Sequence, residues 1–213
     1  MTGFWRFSFM SLAVFLTSTQ SARIALADMI DTSGMAPWEV CGLCHSLDGI
    51  SPMAKFPKLA GQRAAYIEKK QIRDFHGNRR SNDGGQMQAI TTEVDLAELS
   101  EIAAYFASLP APPPAPLEEK GTEQAEILFA LGRGPVPACL SCHGKTDPGL
   151  PLAPWLEAQH ADYLAKQLTD FKNGDRTNDP GEVMRAVAAQ LSDDEIKALS
   201  AFIAGRERPE RTP

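Results

Sequence analysis

Cys41-Gly42-Leu43-Cys44-His45 and Cys139-Leu140-Ser141-Cys142-His143 decide how this chain is read. Each is a C-x-x-C-H run, the attachment signature of c-type haem. The spacing has a chemical reason. Two thiols held one helical turn apart can each add to one haem vinyl group, and the histidine that follows is delivered beneath the iron as an axial ligand. The two runs use all four cysteines of the chain, so no thiol is left for a disulfide or a catalytic nucleophile. Cys41 to Cys44 alone has thioredoxin spacing, but no βαβ pattern surrounds it. The two pairs lie farther apart than the halves of a structural zinc site usually do. So short a loop is also commoner in redox or haem chemistry than in a structural disulfide. None of these readings explains a histidine directly after both pairs.

Working outward, the chain matches itself at an offset of about 97 residues. Cys41 to His45 falls on Cys139 to His143, Gln62 on Gln159 and Tyr66 on Tyr163. Gln71-Ile72-Arg73-Asp74-Phe75 falls on Gln167-Leu168-Thr169-Asp170-Phe171, and Arg80-Ser81-Asn82-Asp83 on Arg176-Thr177-Asn178-Asp179. Met87 falls on Met184 and Glu98 on Glu195. Single-residue shifts are needed between His45 and Gln62, near Glu68 and near Val183. The chain is therefore read as a duplicated domain with one haem in each copy. The proline-rich run from Leu109 to Pro116 separates the copies as an extended polyproline spacer. The expected organisation is a leader over 1–27, a first domain over 28–109, a linker over 110–120, a second domain over 121–206 and a tail over 207–213.

Each copy patterns as helix, with no convincing strand alternation. Asp95 and Ser192 precede Glu98 and Glu195 by three positions, a helix-start signature. The following helices place Leu99, Ile102, Tyr105 and Phe106, and Ile196, Leu199, Phe202 and Ile203, on one face. A helix near Ala64 to Phe75 matches one near Ala161 to Phe171. Glu123 to Leu131 opens the second copy, with Gly132 to close it. Units of this size are small for an apolar core, which a covalent haem would complete.

His45 and His143 supply one iron ligand each. For the other side, Met87 and Met184 sit in the same segment of both copies, after an Asn-Asp-Gly or Asn-Asp-Pro-Gly turn and before the last helix. A thioether is usually a core filler, but its repetition in an irregular segment points to His/Met ligation, which raises the potential. Met53 has Leu150 or Pro151 as its counterpart and is set aside. His76 and His160 align with Lys172 and Arg63, are not duplicated, and are read as surface residues.

These motifs, with Ala60-Gly61-Gln62, Tyr66, Gln71, Phe75 and Arg80, resemble the two-haem class I cytochromes c of the cytochrome c-four type. They are also similar to the two-haem subunit of flavocytochrome c sulfide dehydrogenase. The resemblance runs from about Met35 to Gly205. It implies an all-α fold of two tandem class I cytochrome c domains about a pseudo-twofold axis, with haem propionates meeting near the interface. Tyr66, Tyr163, Arg80 and Arg176 are candidates for pocket or propionate contacts, with ordinary packing as the alternative. Three departures stand out. Ser46 replaces the family's usual glycine, seen here as Gly144. The first copy lacks most of the opening helix. Pro154-Trp155-Leu156-Glu157-Ala158 replaces the Ala-Gly stretch before Gln159, which implies a differently shaped second pocket.

The first residues read as an export signal: Arg6, an apolar run from Phe7 to Leu16, and an A-x-A site at Ala25-Leu26-Ala27. An uncleaved anchor is the alternative, although about ten apolar residues are too few to span a bilayer. The expected location is the periplasm, without stable membrane insertion after cleavage. The net charge of −6 becomes −8 once Arg6 and Arg23 leave with the leader, which argues against nucleic acid. The leading reading is an electron carrier, not an enzyme, between redox partners: a membrane respiratory complex, a terminal oxidase or a flavoprotein dehydrogenase. The alternatives are the electron-accepting subunit of a sulfide-oxidising flavocytochrome and, behind it, a di-haem peroxidase.

Overall fold

The computed structural model describes residues 32–77, 79, 84–116, 123–144, 150 and 152–209. The expected leader, the Arg80 to Asp83 turn, Pro151 and the end of the tail lie outside the described residues. Among those described, the fold is all-α. Among the described residues the only extended pairing is the single bridge of Arg133 with Val136.

The first copy opens with α1 (Pro37–His45). Pro37 sits in its first turn, where its missing N–H costs nothing, and the Glu39 carboxylate accepts from the Ala36 N–H at 2.7 Å. A π-helical stretch (Tyr66–Ile72) runs into α2 (Arg73–Gly77), followed by α3 (Gln86–Thr92) and α4 (Leu99–Ser108). The second copy has α5 (Glu123–Leu131), α6 (Leu140–His143), α7 (Ala161–Asn173), α8 (Val183–Ala188) and α9 (Asp193–Ala204). Gly132 closes α5 as expected, donating to the Ile127 and Leu128 carbonyls at a φ of +79° that only glycine tolerates without strain. Ser192 and Glu195 form the expected capping box. Asp95 acts differently. Its carboxylate accepts from the Ala97 N–H in a turn before α4, whose N-cap is Glu98.

Each copy has its own core. In the first, Ile67, Ile72, Leu99, Ile102, Ala103 and Phe106 cluster. In the second, Leu128, Phe129, Val136, Leu164, Leu191, Ile196, Leu199 and Ile203 do so. The segment that would hold an opening helix in the first copy lies mostly outside the described residues. Trp38, in the first turn of α1, stacks on Tyr105 of α4 at 5.2 Å between ring centroids. In the second copy Phe129 of α5 packs edge-on against Phe202 of α9 at 5.8 Å. Tyr105 and Phe202 are repeat counterparts, so the last helix receives an aromatic ring in both copies.

The π-helical stretch explains the shift near Glu68. The first copy has one residue more between Tyr66 and Gln71 than the second has between Tyr163 and Gln167. α7 is a regular α-helix there. A wider π turn absorbs one extra residue and leaves both flanks in register, so Tyr66 and Gln71 keep the positions of Tyr163 and Gln167.

The copies meet in a reciprocal hydrogen-bond pattern. The Gln62 amide donates to the Trp155 carbonyl at 2.9 Å and accepts from the Trp155 N–H at 2.8 Å. Gln159 does the same to Lys58, with both bonds at 2.9 Å. Gln62 and Gln159 are repeat counterparts, as are Lys58 and Trp155, so this is the isologous contact of a twofold pair made within one chain. Around it Arg208 of the tail donates to Ala60 O at 2.7 Å and Glu157 O at 3.1 Å, joining the two copies again. Residues 109–116 carry no helix or strand, and Leu109 has polyproline-like angles of −67° and 152°.

His160 also crosses this interface. Its Nε2 bonds the Ser51 carbonyl at 2.8 Å, so it is a half-buried contact group and not a simple surface residue. Burial holds its imidazole below the ordinary 6.5. The unfolded chain therefore takes up the proton first, and stability is expected to fall as pH drops from about 6.5 toward the folded value. Denaturant unfolding of the haem-loaded protein between pH 7 and 5 checks this: His160→Gln should flatten the loss, and unchanged slopes would contradict it.

Candidate haem sites

Cys41, Cys44, His45 and Met87 line one cavity of about 60 Å³, walled by Phe56, Ile72, Ile90, Val94 and Ile102. Cys139, Cys142, His143 and Met184 line a second of about 410 Å³, with Leu156, Leu168, Phe171, Val187 and Leu199. The thiols and the histidine come from α1 in the first copy and from α6 with its N-cap Cys139 in the second, and the methionine from α3 or α8. All eight expected residues are thus assembled in two sets of four, copy by copy. Met53 is 54% exposed, in keeping with its being set aside. His76 bonds the Thr91 carbonyl through Nδ1 at 2.9 Å.

Each motif histidine is oriented by a group that the sequence reading passed over. His45 Nδ1 bonds Pro57 O at 2.8 Å, and His143 Nδ1 bonds Pro154 O at 2.8 Å. A carbonyl partner can only accept, so each ring carries its proton on Nδ1 and leaves the Nε2 lone pair for a metal. Burial holds both imidazoles below their ordinary value, which keeps them neutral. Pro57 and Pro154 are repeat counterparts, 97 residues apart; that match was the available signal. The loops bearing them hang from the last helix, through Gly61 N to Phe106 O at 2.9 Å and Ala158 N to Ile203 O at 3.3 Å.

These donors suit a covalent haem. Burial pushes the Cys41 and Cys139 thiols up to about 11, so neither is an activated nucleophile at neutral pH. The histidines have a free, oriented Nε2, and the walls are apolar apart from a few polar groups. The first cavity is the tighter of the two. The second extends to the interface, where Tyr66 and Gln62 of the first copy join its wall, which accords with the expectation of a differently shaped second pocket. Among the described residues no group of three or more His, Cys, Asp or Glu could hold a bare metal ion.

Arg176 and Tyr66 are brought together: Arg176 Nη2 donates to Tyr66 Oη at 3.4 Å and Nη1 to Gln167 Oε1 at 2.8 Å. Arg80 lies outside the described residues, and Arg79 is the structural counterpart of Arg176. Arg79 stacks on Phe75 at 4.2 Å as Arg176 stacks on Phe171 at 4.4 Å. Its N–H bonds Asp74 O as that of Arg176 bonds Asp170 O. It also bonds Gln71 at 2.9 Å, Gln167 at 3.3 Å and the Tyr163 hydroxyl.

After each motif histidine the backbone must turn sharply. Gly144 does so at φ 56°, ψ 133°. Ser46 is held at φ 65°, ψ 149°, a region open essentially to glycine alone. Ser46→Gly is therefore expected to stabilise the protein by about 1 kcal/mol, or about 2–4 °C in Tm. Calorimetry of the haem-loaded protein checks this, and a lower Tm would contradict it.

Residues 136–203 match the family model described as cytochrome c oxidase, cbb3-type, subunit III. The chain is 41% identical over 178 residues to cytochrome c4 of Pseudomonas aeruginosa, covering 81% of this chain and 87% of that protein. It is 35% identical over 202 residues to a thiosulfate dehydrogenase electron acceptor of Stutzerimonas stutzeri, covering 91% of each. The crystal structure of reduced recombinant cytochrome c4 from Pseudomonas stutzeri is 38% identical and aligns with a TM-score of 0.69, over 79% of this chain and 94% of that one. Fold and sites together define a di-haem class I cytochrome c, two tandem helical domains with one covalent haem c each. Such a protein transfers electrons between redox partners and is not itself an enzyme. The chain belongs to the cytochrome c4 family.

Proposed function

We propose that this chain is a periplasmic electron carrier whose irons are ligated by His45 with Met87 and by His143 with Met184. Haem is attached through Cys41 and Cys44, and through Cys139 and Cys142. The observation that carries the reading is that each methionine shares a cavity with the thiols and histidine of its own copy. When bound, haem supplies a one-electron couple at each site. The protein holds the histidine tautomer through Pro57 or Pro154, presents the thioether, keeps water off the iron with apolar walls, and fixes one site against the other through Gln62 and Gln159. With a histidine and a methionine of this chain holding each iron, no protein-free position would be left for peroxide or oxygen.

The domain limits in this reading are 28–109 and 121–206, joined by 110–120. The leader is cleaved after Ala27 and the mature charge is −8. Among the described residues no helix is long and apolar enough to cross a membrane. The donor is a dehydrogenase and the acceptor a respiratory complex or terminal oxidase. A second reading, acceptor to a dehydrogenase of sulfur compounds, is favoured by the similarity along 91% of the chain to a protein described as a thiosulfate dehydrogenase electron acceptor.

Stopped-flow mixing with a thiosulfate-oxidising dehydrogenase and with a haem-copper oxidase tests both. Fast reduction by the first and oxidation by the second, slowing as salt rises where the partner is basic, is the expected result. Peroxide consumption by the isolated chain would overturn the carrier reading.

A further inference from the structure

His76 and Lys172 are repeat counterparts with different partners. Lys172 reaches the Asp193 carboxylate at 2.7 Å, at the start of α9. His76 turns instead to α3, the helix that carries Met87, and its Nδ1–H donates to the Thr91 carbonyl at 2.9 Å. The Thr91 hydroxyl donates back to the Met87 carbonyl at 2.9 Å, with Gln88 O at 3.2 Å. A relay of two hydrogen bonds thus runs from α2 to the backbone of Met87. Thr91 is 2% exposed, which shields its end of both bonds from competing water. The anchor behind His76 is firm: Ile72 and Phe75 are buried, and Arg79 stacks on Phe75. α3 is seven residues long and is entered through Gly84 and Gly85, at φ of +77° and +78°. So short a helix after two glycines has little stiffness of its own, and its placement depends on what holds it. The second copy solves this differently. Ala188 stands four residues after Met184, where the first copy has Thr91, and offers no hydroxyl. There the Asp179 carboxylate accepts from Arg185 N at 3.0 Å and Arg185 Nε at 2.8 Å, tying the turn to the start of α8.

We infer that His76 is a positioning residue for the methionine ligand of the first haem: through Thr91 it holds α3 so that the Met87 thioether stays against the iron. The inference deepens the His/Met reading and rests on it. A thioether is a neutral, soft ligand on a flexible side chain. How long it stays bound is set by how freely the backbone beneath it swings away. Thr91 lines the first cavity beside Met87, and His76 stands behind that wall on α2. Its side chain therefore acts on the ligand through the backbone of α3. The two ligand helices have different restraints, a hydrogen-bond relay on α3 and a carboxylate–guanidinium pair on α8. Loss of the relay is therefore felt at one haem and not at the other.

The test is displacement of the thioether by imidazole in the ferric, haem-loaded protein, followed by stopped-flow absorbance. Each haem should give its own phase. Met87→Ala identifies that of the first haem, where imidazole then has no sulfur to wait for. His76→Leu keeps an apolar body and removes the donor. It should speed imidazole entry at the first haem by about tenfold, the order that one hydrogen bond supplies, and leave the second phase unchanged. Thr91→Val removes the hydroxyl at nearly constant shape and should act on the same phase in the same direction. His76→Asn, whose amide nitrogen takes the place of Nδ1, should return the parent rate. Unchanged rates in His76→Leu would overturn the inference. So would equal acceleration at both haems, or an Asn variant as fast as the Leu variant, since both mean a loss of packing instead. If the parent protein lacks the sulfur-to-iron band at the first haem, Met87 is no ligand, and the His/Met reading fails and this inference with it.

Discussion

Met184→Ala is expected to abolish about half of the sulfur-to-iron charge-transfer absorption of the oxidised protein, and Met87→Ala the other half, since each removes one of two thioether ligands. A thioether favours ferrous iron, so the affected haem should also fall in potential. The exposed iron should then bind carbon monoxide when reduced, which the parent protein should not do. Met184 stands on α8 against the second cavity, among Val183, Val187 and Leu191. Truncating it also leaves a void, and a loss of about 2–5 kcal/mol in stability accompanies the spectral change. Optical spectra of the ferric protein decide the matter. An intact band after either substitution would mean that the methionine is only a core filler at that site.

Arg176→Ala is expected to have the largest effect on stability of any change at the interface. The side chain is 6% exposed. It donates to Gln167 at 2.8 Å, to Asn178 at 2.8 Å and to Tyr66 of the other copy at 3.4 Å, while its guanidinium lies 4.4 Å over Phe171. Asn178 in turn donates to Lys70 O at 3.1 Å and to Asp74 at 2.7 Å, both in the first copy. Removing the arginine strands several buried acceptors at once. A loss of about 3 kcal/mol follows, or about 6–12 °C in Tm for a chain of this size. Arg176→Lys should recover little, because a lysine cannot reproduce the planar fork. Thermal unfolding of the haem-loaded protein measures both, and a loss well under about 1 kcal/mol would show the network to be incidental.

Much of this architecture was legible in the chain because the repeat writes it twice. The two C-x-x-C-H runs located both sites, the apolar spacing located α4 and α9, and the duplicated Met87 and Met184 stood out from single methionines such as Met53. What escaped was whatever depends on contacts across the duplication. Gln62 and Gln159 were visible as a matched pair, but their partners, Trp155 and Lys58, lie 93 and 101 residues away. No local pattern encodes a bond of that reach. Arg80 was aligned with Arg176, yet Arg79 fills the place, because a linear alignment cannot tell which of two adjacent arginines turns inward over Phe75. The shift near Glu68 was seen as a gap and is a π turn. Nor did the sequence show that Trp38, within α1, would stack on Tyr105 of the last helix.

The central claim is that one chain carries two independent one-electron centres, both closed to added ligands. An optical redox titration of the haem-loaded protein, repeated under carbon monoxide, tests it most directly. The account predicts two resolved one-electron waves of equal amplitude that carbon monoxide does not move. A single wave, or a reduced haem that binds carbon monoxide in the unaltered protein, would contradict it.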